Sequence, residues 1–341
     1  MPDIDLGSPV LVARLDSVGD VLLTGPAIRA VAARACRVVM LAGPRGRAAA
    51  ELLPGVDRVL AWHAPWIDPE PEPVRAEAVD ALVSAVAAEG VRSALIFTSY
   101  HQSPLPLALL LRLAGVAWIG AICEDYPGSL LDLRHRVDGD PPEAERALSL
   151  AAAAGFPPRD DGLLAVRKPL PEVEHLVRDD GYVVIHPGTS VPARAWPPGH
   201  CARAVRLLAE AGFRVVVTGS PADRALTARV AGDDGLDLGG RTSLAELAAV
   251  LARASVLIAG NTGPAHLAAA VGTPVVSLFA PTVPAARWAP YGVPHVLLGD
   301  PEAPCAGSRA RVCPVPGHPC LSSVTPGEVV RAVIRLVKEA A

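Results

Sequence analysis

Three segments of this 341-residue chain set polar side chains where a strand-like apolar run gives way to a helix-like one. The first is Arg14-Leu15-Asp16-Ser17-Val18-Gly19-Asp20. In a doubly wound sheet the loop at a strand's carboxyl end opens into the ligand crevice, so an acid placed there can face substrate. Asp20 is therefore a candidate general base, although an aspartate near a helix start also serves as an ordinary cap or dipole partner.

The second segment, His186-Pro187-Gly188-Thr189-Ser190, is followed by Arg194-Ala195-Trp196-Pro197 and a helix. A Gly-Thr-Ser turn exposes amides and hydroxyls, and an arginine four residues on adds a forked cation, which together suit a phosphate. A plain turn with a surface arginine has the same spacing. The third is Ala259-Gly260-Asn261-Thr262-Gly263-Pro264-Ala265-His266. Pro264 suits the first helical position, which turns the amides near Thr262 and Gly263 outward as an anion site with His266 beside them. Two such loops in one half of the chain suggest a diphosphate.

A fourth group is Cys305-x7-Cys313-x6-Cys320 with His318. It holds four soft ligands but no Cys-x2-Cys pair, and its prolines and glycines suit an irregular loop of reduced thiols rather than a metal site. The triplets Asp3–Asp5 and Asp138–Asp140 read as solvated turns. The chain has no G-x-x-x-x-G-K-[ST] loop, no G-x-G-x-x-G fingerprint and no G-x-S-x-G elbow. Those absences argue against a P-loop NTPase, a standard dinucleotide dehydrogenase and an α/β-hydrolase.

These loops need strands and helices to hold them. Apolar, β-branched runs alternate with Ala/Leu/Arg-rich stretches of helical period, as βαβ units around parallel sheets do. Strands are expected near Val10–Ala13, Val38–Ala42, Ala94–Thr98 and Val116–Ile119, then near Tyr182–His186, Arg214–Thr218, Val256–Ala259, Val275–Leu278 and His295–Leu298. A chain of this length with 51% hydrophobic residues exceeds one comfortable core. The division expected is an N-terminal domain over 1–160, a C-terminal domain over 161–322, and a terminal helix over 323–341 packing back on the first domain. Residues 155–181, with four prolines and two Asp-Asp pairs, read as the linker.

Net charge is −4 and no run of like charge occurs, which speaks against a nucleic-acid binder. The 29 arginines say little individually, but residues 1–160 balance to −6 and residues 161–341 to +2, so the second half is the better host for an anion. The acidic start and the absence of a cleavage-like site after an apolar run suggest a cytoplasmic protein. The most membrane-like window, Leu105–Ile122, is interrupted by Pro106, Arg112 and Gly115 and reads as a buried helix followed by a strand.

Taken jointly the segments resemble glycosyltransferase family 9, which includes lipopolysaccharide heptosyltransferases that use ADP-heptose. The Arg14–Asp20 stretch with Pro26 is similar to the family's opening motif, His186–Pro197 to its Pro-Gly…Lys-x-Trp-Pro segment, and Asn261–His266 to its Asp-Thr-Gly-x-x-His segment. Residues Leu278–Gly292 and the cysteine loop also fit.

The resemblance implies an α/β GT-B fold, two Rossmann-like domains with parallel sheets facing a central cleft, and inverting, metal-independent transfer from a nucleotide sugar without a cofactor. It implies Asp20 as base, with Thr189, Ser190, Arg194, Asp223, Asn261, Thr262, Gly263 and His266 at the donor. The partners implied are a nucleotide-sugar donor and an acceptor that is a sugar, a glycolipid or a small molecule, with peripheral membrane contact and no nucleic acid. The alternative readings are another GT-B-fold nucleotide-sugar enzyme, a UDP-sugar transferase or an epimerase, or a non-catalytic nucleotide-sugar binding protein. Two residues depart from the family pattern: Asn261 stands for the usual aspartate and Arg194 for the usual lysine.

Overall fold

The computed structural model describes residues 4–340, so Asp3 of the first Asp-x-Asp triplet lies outside the described residues. Contacts divide the chain into a first unit ending at Arg167 and a second beginning at Lys168. The first unit carries β1 (Val10–Arg14), β2 (Val38–Ala42), β3 (Arg58–Ala61), β4 (Ser93–Ile96), β5 (Trp118–Ile122) and β6 (Leu133–His135). The second carries β7 (Val183–His186), β8 (Val215–Gly219), β9 (Leu236–Gly239), β10 (Val256–Gly260), β11 (Val275–Leu278) and β12 (His295–Leu298).

Each set forms one six-stranded sheet, with orders β3-β2-β1-β4-β5-β6 and β12-β11-β10-β7-β8-β9. Every strand pairing is parallel. β1, β2 and β5 are buried throughout, which is why they read as unbroken apolar runs instead of alternating ones. The order reverses between β1 and β4 in one sheet and between β7 and β10 in the other. Those are the topological switch points, where an open α/β sheet leaves a crevice at its carboxyl edge.

β3, β6 and β9 were not expected from the sequence. Each is the edge strand of its sheet and is only partly buried, so its residues carry a diluted apolar pattern. The fifth strand starts two residues later than expected. The Val116 amide bonds to the Leu111 carbonyl, which spends that residue on the exit of the Leu105–Leu113 helix. The membrane-like window is thus that helix followed by β5. No helix among the described residues is long and apolar enough to cross a membrane.

The stretch expected as a linker is tied down over its first half. Arg29 binds Asp160 at 2.6 Å and the Leu163 carbonyl at 2.7 Å. The backbone of Arg167 donates to Leu52 and its guanidinium to Leu53. Phe156, Leu164 and Val166 are buried. Long-range hydrogen bonding, not local period, orders this segment.

The C-terminal helix Pro326–Ala340 buries Val329, Ala332, Val333 and Leu336, which join the second unit's core with Trp196 and Leu321. Each large apolar side chain so placed contributes roughly 1.5–3 kcal/mol. The Trp196 indole donates to the Val324 carbonyl at 3.1 Å and anchors the approach to that helix.

Candidate active site

In the first unit the switch point is filled by charge. Arg14 ends β1 with its side chain only 3% exposed. Its Nε stands 2.8 Å from Asp16 Oδ2, its Nη2 3.3 Å from Asp20 Oδ1 and its Nη1 3.7 Å from Glu143 Oε2. Nη2 also donates to Ser99 Oγ, beyond the end of β4, at 2.8 Å. Ser17 Oγ donates to Asp20 Oδ2 at 2.9 Å, and Gln102 Nε2 donates to Asp16 Oδ1 at 2.6 Å.

Burial alone would discourage the Arg14 charge, but Asp16, Asp20 and Glu143 outweigh it and raise its pKa. Asp16 is pushed upward, chiefly by burial, against the pull of Arg14. Asp20 is the most accessible of the three carboxylates, 19% exposed against 12% for Asp16 and 1% for Glu143. It sits in the first turn of the Val18–Leu23 helix, with Ser17 as cap residue. Backbone geometry makes Ser17 the cap, and the Asp20 carboxylate bonds to Ser17 and Arg14. An accessible carboxylate held in orientation from two sides is what proton abstraction from a hydroxyl requires.

In the second unit the expected residues cluster at the carboxyl ends of β7, β8 and β10. His186 closes β7, with Nδ1 3.0 Å from Thr218 Oγ1. Burial pushes its pKa down to about 4 although Asp223 opposes the shift, so the ring is neutral at physiological pH. Asp223 Oδ2 accepts from the Ser220 amide at 2.9 Å and from its hydroxyl at 2.6 Å, forming a capping box. A Cβ at Gly188 would lie 2.5 Å from Asp223 Oδ2, so a larger residue there would have to displace this carboxylate.

The two anion-type loops meet at Arg194, whose Nη1 donates to the Asn261 carbonyl at 3.1 Å. Gly260 permits the approach: a Cβ there would stand 2.8 Å from the Arg194 carbonyl. Thr262 caps the Gly263–Val271 helix with Pro264 in its first turn, and His266 is buried one turn in. The helix thus presents its amino end at the switch point, where its dipole and first amides favour negative charge.

Two of the residues expected at the donor also bond within the protein. The Asn261 side chain donates to the Ala280 carbonyl and accepts from the Ala280 amide, both at 3.3 Å, and is 4% exposed. Thr189 Oγ1 closes a local turn on Val191, accepting from its amide at 3.1 Å and donating to its carbonyl at 3.2 Å. Ser190 next to it is exposed.

Sequence reasoning singled out neither Arg14 nor Glu143 as site residues. Arg14 stood inside the first motif, but Glu143 begins a helix far downstream and nothing local marks it. Among the described residues no group of three or more His, Cys, Asp or Glu side chains is placed to hold a metal ion. In the cysteine loop His318 Nε2 lies 3.0 Å from the Ala193 carbonyl and Cys313 Sγ 3.4 Å from that of Val315.

Against known proteins, the model of the family described as glycosyltransferase family 9 (heptosyltransferase) matches residues 105–318. The structure is similar to a glycosyl transferase family 9 protein from Veillonella parvula, with TM-score 0.76, 18% identity and 97% of each chain covered. It is similar to E. coli ADP-heptose lps heptosyltransferase II, with TM-score 0.75, 19% identity and coverage of 98% of this chain and 100% of the other. It is also similar to E. coli heptosyltransferase WaaC with ADP-2-deoxy-2-fluoro heptose, with TM-score 0.72, 24% identity and coverage of 98% and 100%. No curated protein sequence gives a significant match. The two parallel sheets are those of GT-B glycosyltransferase structures.

Proposed function

This chain belongs to glycosyltransferase family 9, and from that premise we propose that it moves heptose from ADP-heptose to an acceptor hydroxyl with inversion, using Asp20 as general base and no metal or cofactor. The observation that carries this reading is the Asp20 carboxylate, partly open and oriented by Arg14 and Ser17 at the β1 switch point. The donor assignment rests on the second unit, where Arg194, the amino end of the Gly263–Val271 helix and the Gly188 turn gather at one sheet edge. Two solved relatives carry ADP-heptose or an analogue of it in their names.

In the proposed reaction Asp20 takes the proton of the acceptor hydroxyl as its oxygen bonds to the anomeric carbon. The bond from that carbon to the donor phosphate breaks, and its electron pair leaves with ADP. Arg194 and the Gly263 amide at the head of its helix stabilise the charge that develops on the diphosphate, at positions fixed before the reaction begins, while the Thr262 amide is given to the Gly260 carbonyl at 2.8 Å. His186, neutral at physiological pH, adds no charge that would compete for the diphosphate. Asp223, whose Oδ2 is committed to Ser220, borders the same turn and is assigned to the nucleotide ribose. The acceptor is a sugar, a glycolipid or a small molecule, and contact with a membrane is peripheral.

The test is a thermal-shift comparison across ADP-, GDP-, UDP- and CDP-sugars, followed by nucleoside diphosphate release with and without a deacylated lipopolysaccharide core. A donor present at about 100 times its Kd raises stability by about 2.7 kcal/mol. Selective stabilisation by ADP-heptose and acceptor-dependent ADP release are expected. Equal response to all four bases removes the donor assignment, and sugar interconversion without an acceptor removes the transfer reading.

A further inference from the structure

We infer that Glu143 is a positioning residue for Asp20, acting through the Arg14 guanidinium, and that Arg146 offsets the Glu143 charge in the field at Asp20. The inference rests on the reading of Asp20 as the base. Its observations all lie in the first unit.

Glu143 opens the Glu143–Ala153 helix, and its side chain is 1% exposed. Its Oε2 stands 3.7 Å from Arg14 Nη1 and 3.6 Å from Arg146 Nη1. Arg146 also bonds to the Thr98 carbonyl, which follows β4 closely. Arg14 divides its nitrogens among Asp16 on Nε, Glu143 on Nη1 and Asp20 with Ser99 on Nη2. A guanidinium is planar and rigid, so the ion pairs of Nε with Asp16 and of Nη1 with Glu143 bias where Nη2 meets Asp20.

Asp16 and Asp20 already outnumber the single charge of Arg14. Glu143 and Arg146 add one further charge of each sign, so they bring no net compensation while their burial carries a desolvation cost. What they supply is orientation and a graded field. The charged cluster that includes Asp20 runs through Arg14 from β1 and Asp16 from the same loop to Glu143, which pairs with Arg14, and Arg146, which pairs with Glu143. Removing the Glu143 charge takes a negative charge from the cluster and favours the Asp20 carboxylate. Removing the Arg146 charge takes a positive charge from it and disfavours that carboxylate.

The two changes therefore move Asp20 in opposite directions, which a general loosening of the fold would not do. The experiment is a pH titration by carbon-13 carboxyl NMR on aspartate-labelled full-length protein, with the Asp20 signal identified by its loss in Asp20→Asn. The Asp20 midpoint is expected to fall by about half a pH unit or more in Glu143→Gln and to rise comparably in Arg146→Gln. Glu143→Asp, which keeps the charge but shortens the reach, replaces Glu143→Gln if that variant fails to fold and is expected to move the midpoint down by less. An unchanged midpoint, or shifts of the same sign in the two kinds of variant, overturns the relay. The base reading fails separately, if Asp20→Asn retains acceptor-dependent ADP release whatever the titration shows.

Discussion

The side-chain amide of Asn261 pairs in both directions with the backbone of Ala280, its Nδ2 donating to the carbonyl and its Oδ1 accepting from the amide, each at 3.3 Å. The end of β10 is thereby fastened to the loop that follows β11. An aspartate, usual in the family at this position, could keep the acceptance but would set a carboxylate against the Ala280 carbonyl.

Asn261→Asp is therefore expected to destabilise the protein by about 1–3 kcal/mol, because one buried hydrogen bond is lost and its carbonyl is left facing negative charge. Chemical denaturation at pH 7 measures this. Because Arg194 donates to the main-chain carbonyl of Asn261, a backbone shift on losing the Ala280 bond should also raise the donor KM.

Replacing Arg194 by alanine should weaken donor binding by about 10- to 100-fold, the scale of one charge-assisted hydrogen bond. Arg194→Lys should recover much of this, since it keeps the charge and loses only the fork. Isothermal titration with ADP reads both variants without needing an acceptor. Equal affinities across the wild type and both variants would remove Arg194 from the donor site.

Gly188→Ala places a methyl 2.5 Å from Asp223 Oδ2, a carboxylate held by two bonds to Ser220. Relief requires one side to move, and a cost of about 1–3 kcal/mol is expected. Pairing it with Asp223→Ala should restore part of the loss, so the double variant should unfold at a higher denaturant concentration than additivity predicts.

His186 gives stability a pH dependence of known sign. Its folded pKa of about 4 lies below the 6.5 of an unperturbed ring. Below pH 6.5 the unfolded chain takes up a proton that the folded one refuses, so the contribution is fully present above that pH and is lost as the pH falls toward 4. The limiting loss is about 3 kcal/mol. Over this window His186→Gln should lose less stability than the wild type, as measured by urea unfolding from pH 7 to pH 4.

Asp20→Asn keeps the size of the side chain and its contact with Ser17 while removing the base. Acceptor-dependent ADP release should fall by about 10²- to 10⁴-fold, with donor binding by calorimetry little changed.

Much of this protein follows from local sequence. Continuous apolar runs marked the central strands, because both faces of β1, β2 and β5 are covered. Loop composition marked Asp20, Arg194 and the Asn261–His266 turn, since a strand end feeding a helix start is a short-range pattern. The edge strands β3, β6 and β9 escaped because half-exposed edges need little apolar sequence.

Tertiary structure alone decided what surrounds those loops. Glu143 and Ser99 reach Arg14, and Arg146 reaches Glu143, from elements distant in sequence, and no period or spacing connects them to Asp20. The amide of Asn261 could have faced a ligand; the proximity of Ala280, set by the parallel pairing of β10 with β11, turned it to the backbone. The sequence determines which residue types arrive at each sheet edge. Which of their atoms remain for substrate depends on the partners that folding brings within hydrogen-bond range, because a buried polar group must be satisfied before it can serve a ligand.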